Sequence, residues 1–205
     1  MSVEQSWVRI EGWLAEHAPN EEPLPGPCAE AELERLYERI GVRLPPDVEE
    51  SLLRHDGSGL ITVIPIGWTL HSCGKIAERY AEWARDARRF EPQAGRFIPV
   101  REISGNLQLL TDPRTGRMGE WDRVQGHSWD EDPLGRSFAG VLEFTGNVLA
   151  STRPWIAMLP GDEEWEATDQ DPDFPGTLSW TEDLQQEVEW DMRRLNREYG
   201  FADDR

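Results

Sequence analysis

The sequence predicts an α+β fold: a single domain with a central, mostly antiparallel sheet flanked by helices, and a C-terminal helical extension. Three observations carry that prediction. Apolar residues recur at helical spacing as far as Leu53. Strand-like segments separated by turn sequences crowd together between Phe97 and Val124. Helical spacing then returns from Phe138.

Val3, Trp7, Ile10 and Leu14 fall one turn apart, with Trp13 beside them, so Ser2 to His17 reads as a first helix. Pro19 to Pro27 holds four prolines and a glycine and reads as a linker. From Ala29 to Ile40, Leu33, Leu36, Tyr37 and Ile40 share one face, and Gly41 suits the left-handed residue that ends a helix. In Leu44-Pro45-Pro46-Asp47, Pro45 disfavours helix at Leu44, while Pro46 fits the first turn of a new helix. Val48, Leu52 and Leu53 are expected to carry that helix inward until His55-Asp56-Gly57 stops it, with Asp56 satisfying exposed backbone groups.

Leu60 to Ile66 is β-branched and reads as the first strand, with Pro65 marking an edge or an end. Ile76 to Phe90 is helical. Phe97 to Ile103, Leu107 to Leu110 and Met118 to Val124 read as three strands. Ser104-Gly105-Asn106 and Asp112-Pro113-Arg114-Thr115-Gly116 join them as turns, giving an antiparallel meander. Gly126 to Gly135 reads as a polar loop, and Phe138 to Leu149 as a helix. Residues 1–150 are thus expected to form the α+β domain, and 151–205 an acidic loop with a C-terminal helix docked on it. Ser179 and Glu182 make a capping box for that helix, whose apolar stripe is Leu184, Val188, Met192, Leu195 and Tyr199.

Three segments carry a resemblance. The first is Gly41-Val42, Leu44-Pro45-Pro46-Asp47, Leu52-Leu53 and Asp56-Gly57. Phe97-Ile98-Pro99-Val100 followed by Asp112 to Gly116 is the second, and Ser137-Phe138 opening an apolar run to Leu149 the third. In that order they resemble the SUKH (Smi/Knr-like) superfamily, over about Trp7 to Ala150. The resemblance implies a protein that works by protein contact. Bacterial members are often immunity proteins that neutralise toxins, and the fungal member regulates cell-wall glucan synthesis.

Composition narrows the chemistry. The chain of 205 residues has 40 acidic against 21 basic side chains, a net charge of −19. That field opposes nucleic-acid phosphates and suits capture of a basic partner. The two cysteines, Cys28 and Cys73, lack paired spacing, the first residues lack the apolar stretch of a signal peptide, and no apolar run is as long as a membrane span. A cytoplasmic protein is expected.

Catalytic and metal motifs fail on their own residues. No Gly-x-Ser-x-Gly occurs, and His17, His55, His71 and His127 sit in no recognisable nucleophile setting. His71 and Cys73 offer two ligands, but no Cys-x-x-Cys or His-x-x-x-His completes a tetrahedral set, so Cys73 reads as a core residue. Asp169, Asp171 and Asp173 imitate a calcium loop, yet Phe174 replaces its glycine and Trp180 its bidentate glutamate. No enzyme, metal or cofactor is therefore expected. The expectation is a non-catalytic binding module, first a bacterial immunity protein that binds and neutralises a basic toxin, with a regulatory or scaffold protein holding an endogenous protein partner as the alternative. Candidate partner-binding residues are Asp56, Trp121, Asp122, Trp129, Asp130, Glu131 and Asp132, chosen as aromatics with acidic neighbours and as the polar residue at a helix end.

Overall fold

A computed structural model of the chain describes residues 1–65, 68–90, 97–103, 107–122, 126–128, 137–150, 156–158, 164–168 and 175–182. Helix α1 is Val3–His17, opened by a capping box in which Ser2 accepts from the Gln5 N–H and Gln5 answers to the Ser2 N–H. Helix α2, Glu30–Ile40, ends on Gly41 at φ +74°, and α3, Pro46–Arg54, starts with its proline in the first turn. Strand β1 is Thr69–Leu70 and α4 is Cys73–Phe90. The meander is β2 (Ile98–Ile103), β3 (Leu107–Thr111), β4 (Met118–Asp122) and β5 (Gly126–Ser128), and α5 is Phe138–Ala150.

The α+β architecture matches the sequence prediction. Strands β1 to β5 pair in chain order, each antiparallel to its neighbour. A bulge between Pro99 and Arg101 leaves the Val100 carbonyl to accept the His71 N–H. Helices α1, α3 and α5 pack on one another, while α4 lies against α2 and β2. Alternation along β3 divides the interior. Leu109 points into the main core, and Leu110 into a smaller cluster with Trp83, Tyr80, Phe97 and Trp121. Trp7 and Ile10 of α1 lie at the centre of the main core, and the Trp7 indole donates to Ser51 Oγ. Among the described residues, no helix is long and apolar enough to cross a membrane.

Several expectations change. Of the expected strand Leu60 to Ile66, residues 60–65 are not a strand and Ile66 lies outside the described residues: Ile61, Val63 and Ile64 are buried, but an isolated bridge joins Ile64 to Trp68, and Pro65 has no N–H to offer a ladder. Gly126–Ser128, read as loop, pairs with β4. The tail differs most. Strands β6 (Ile156–Met158), β7 (Glu164–Thr168) and β8 (Ser179–Glu182) form a separate antiparallel sheet. The sequence alone places Glu164–Thr168 in a loop, and Ser179 with Glu182 at a helix start. Leu178 and Trp180 alternate into the core around outward Ser179, and that period of two prevails over the capping pattern. Trp180 Nε1 donates to the Thr62 carbonyl at 2.8 Å, and the Leu178 N–H to Glu21 at 2.8 Å. The expected stripe from Leu184 to Tyr199 and the acidic triad of the calcium imitation lie outside the described residues.

Candidate functional site

The two turns flanking α3 are structural joints. Asp47 Oδ2 accepts the Ala139 N–H at 2.9 Å, so the aspartate of Leu-Pro-Pro-Asp caps α5 from far away in sequence. Ser137 supplies the local cap, accepting the Gly140 N–H. Asp56 does the same for α4, accepting the Cys73 N–H at 2.7 Å. Asp56 thus satisfies an exposed backbone group, as the sequence suggests, and the group it serves belongs to the next helix. Gly57 follows at φ +78°, and a Cβ there would meet the Leu70 carbonyl oxygen and the Ser72 N at 2.7 Å. Only glycine fits.

The polar side chains near these joints separate into two groups. At the end of α3, Arg54 Nε and Nη2 donate to the two Glu11 oxygens at 2.7 and 2.8 Å. His55 lies between the Pro25 carbonyl and Glu11 Oε1, 2.7 Å from each. The Arg54 hydrogen bond holds the Glu11 carboxyl below the usual glutamate range, against the raising effect of its burial. Under the sheet, His71 faces Gln108 at 3.4 Å, Gln108 donates to Glu102, and Arg79 bridges Glu102 and Glu82. Burial pushes the His71 pKa down to about 4, although the Glu102 charge opposes it. The thiols of Cys28 and Cys73 are pushed up, first by burial and further by the Asp56 charge. Such thiols are poor nucleophiles. His55, His71 and Asp56 each answer to different partners.

Among the other candidates, Trp121 pairs with Gln108 across β3 and His127 across β5, and its ring meets Trp83 edge to face at 4.7 Å. It is half-buried against α4. Asp122 ends β4 between Leu107 and Gly126. Trp129, Asp130, Glu131 and Asp132 lie outside the described residues.

The surface that sequence reasoning missed lies between α1 and α3. There a groove of about 460 Å³ is lined by Val3, Pro46 and Leu53, with Glu4, Glu49, Glu50 and Arg54 around them. Leu53 was expected to face inward, but α3 buries Val48, Ser51 and Leu52, at spacings of three and four. Leu53 comes one residue later, roughly 100° round the helix, and is 42% exposed. Arg54 is held by Glu11 and lies 4.0 Å from Glu4. Glu49 accepts the Tyr37 hydroxyl. Across α1, Val8, 53% exposed, lines a second recess with Glu4, Arg9, Glu143 and Asn147. From Met1 to Arg54 twelve acidic side chains stand against five basic ones. The sequence offers one signal for this surface: with Val48, Ser51 and Leu52 on the buried arc of α3, Leu53 falls at the edge of that arc.

The fold is an α+β domain whose motif aspartates cap its own helices and whose outer helices carry an acidic, apolar-floored groove. The chain belongs to the SMI1 / KNR4 family (SUKH-1), whose profile matches residues 27–143. It is 35% identical over 99 residues to the KNR4/SMI1 homolog of Yarrowia lipolytica, covering 46% of this chain and 14% of that protein. KNR4/SMI1 homolog 2 of Debaryomyces hansenii is 34% identical over 101 residues, 47% of this chain and 17% of the relative. The glucan synthesis regulatory protein of Neurospora crassa is 24% identical over 242 residues, 88% of this chain and 45% of its own length. The chain thus spans less than half the length of each of these relatives.

Proposed function

We propose that this protein is a non-catalytic regulatory module that acts by binding another protein through the α1–α3 groove. The observation that carries this reading is Leu53, exposed on an apolar floor with Glu4, Glu49 and Glu50 around it. Membership of the SMI1/KNR4 family, and the regulatory role in the name of the Neurospora relative, support it. The partner that fits is a basic segment with an apolar anchor, which buries a side chain over Leu53 and sets cations against the rim. Charge complementarity of this kind acts mainly on the association rate. The two free thiols suit a reducing compartment, and the reading places the protein in the cytoplasm.

Neutralisation of a basic toxin is a second reading, favoured by the net charge of −19. Affinity capture with the full chain, run in parallel with a Leu53→Ser/Glu50→Lys variant, tests both. A basic partner that binds the native protein, associates more slowly as salt rises and is lost with the variant supports the module. Its identity, a host regulator target or the toxin of a neighbouring gene, decides between the readings. A partner retained equally by the variant removes the groove from the account.

A further inference from the structure

Cys28, Asp56 and Cys73 come from three separate segments: the residue that follows the proline-rich linker, the turn after α3 and the first residue of α4. Their ligand atoms, two sulfurs and a carboxylate oxygen, lie within 4.8 Å of one another. Both cysteines are free and buried, at 4% and 2% exposure. We propose that these three side chains form a site for one thiophilic divalent cation of the zinc class, which staples the linker and the α3 turn to the start of α4.

Geometry, charge and rigidity favour it. Two sulfurs bound to zinc at about 2.3 Å sit roughly 3.8 Å apart in a tetrahedron and can be no more than about 4.6 Å apart. The cluster therefore needs only sub-ångström movement to close on an ion. Two thiolates and a carboxylate bring three negative charges and the cation two positive ones, and the positive end of the α4 dipole faces the surplus. A carboxylate beside two thiols opposes their ionisation when no cation is present, and a bound cation reverses that opposition. The backbones are set independently of any ion. Cys28 N–H donates to Leu52 O at 2.8 Å, Asp56 N–H to Gly26 O at 2.8 Å, and Cys73 N–H to Asp56 itself. That last bond orients the carboxylate as outer-sphere hydrogen bonds do in metal sites. Cys28 Sγ has a 3.5 Å contact to the Ala29 carbonyl, which ionisation would give up at little cost. His71, two residues before Cys73, turns to Gln108 and takes no part, so the fourth position falls to water.

The test uses the full chain, reduced and freed of metal with a chelator, and titrated with Cd²⁺ as the spectroscopic probe. One Cd²⁺ per chain is expected, with a thiolate-to-metal charge-transfer band in the ultraviolet, displaced by Zn²⁺, and with a Tm raised by either ion. Asp56→Asn keeps an oxygen to accept the Cys73 N–H while removing the charge, and is expected to weaken Cd²⁺ binding at least about tenfold. Cys28→Ser is expected to lose most of the band. The amplitude of the band in the native chain, matching two thiolates per Cd²⁺, provides the same reading if that variant does not fold. The proposal is overturned if no band forms on reduced protein, if Asp56→Asn binds Cd²⁺ as the native chain does, or if the band matches a single thiolate per Cd²⁺.

Discussion

The two sides of α3 differ in what their charges do. At its ends, Asp47 and Asp56 look inward and each satisfies the first turn of a distant helix. On its outer face, Glu50 and Leu53 line a groove. Residues a few positions apart thus divide between holding the fold and offering a surface. The motif that marks the family is concentrated on the first task. Sequence signatures of this kind report architecture, and a partner must be sought where the signature is silent.

The contrast is broken most severely at Gly57. Gly57→Ala forces a Cβ against backbone atoms at φ +78°, and should cost about 3 kcal/mol or more, read as a lower urea midpoint. Asp47→Ala removes the long-range cap on α5 and should cost about 1–2 kcal/mol, with Asp47→Asn recovering part of it. Either variant unfolding like the native chain would take the joint role away. Glu11→Gln sharpens the comparison from the groove side. The folded pKa of Glu11 is lowered, so its contribution is present above the ordinary glutamate range and lost as pH falls through the folded value. Native protein should exceed the variant by under about 1 kcal/mol at pH 7, and the two should converge in acid. A gap that widened in acid would contradict the Arg54 pairing. Smallest in stability is Leu53→Ser, expected within about 0.5 kcal/mol of native, since the side chain is already exposed. A large loss there would show Leu53 to be structural.

Local chemistry explains how much was legible beforehand. Proline, glycine and aspartate act within a few residues, so the Gly41 stop, the Pro46 start and the Asp112 to Gly116 turn could be read directly. Asp112 indeed accepts from the Arg114 N–H and the Thr115 hydroxyl, and Gly116 takes φ +71°. What escaped depends on distance. The destination of Asp47 and Asp56 and the meeting of Cys28 with Cys73 are set by tertiary packing. Ser179 and Glu182 satisfied a helix rule that the inward alternation of Leu178 and Trp180 overrode. The edge-to-face contact of the half-buried candidate Trp121 with Trp83 is likewise set by tertiary packing. Leu53 escaped because an apolar residue in a helical motif is read as core by default.

The hydrogen bond from Trp180 to Thr62 has a practical corollary. The family match stops at residue 143, yet Leu178 and Trp180 belong to the same buried core as Ile61 and Val63. Anyone excising the domain at the edge of the match would open a hole in its hydrophobic interior, and a stickier, less cooperative fragment is the outcome to expect. The unit that folds is longer than the unit that is recognised.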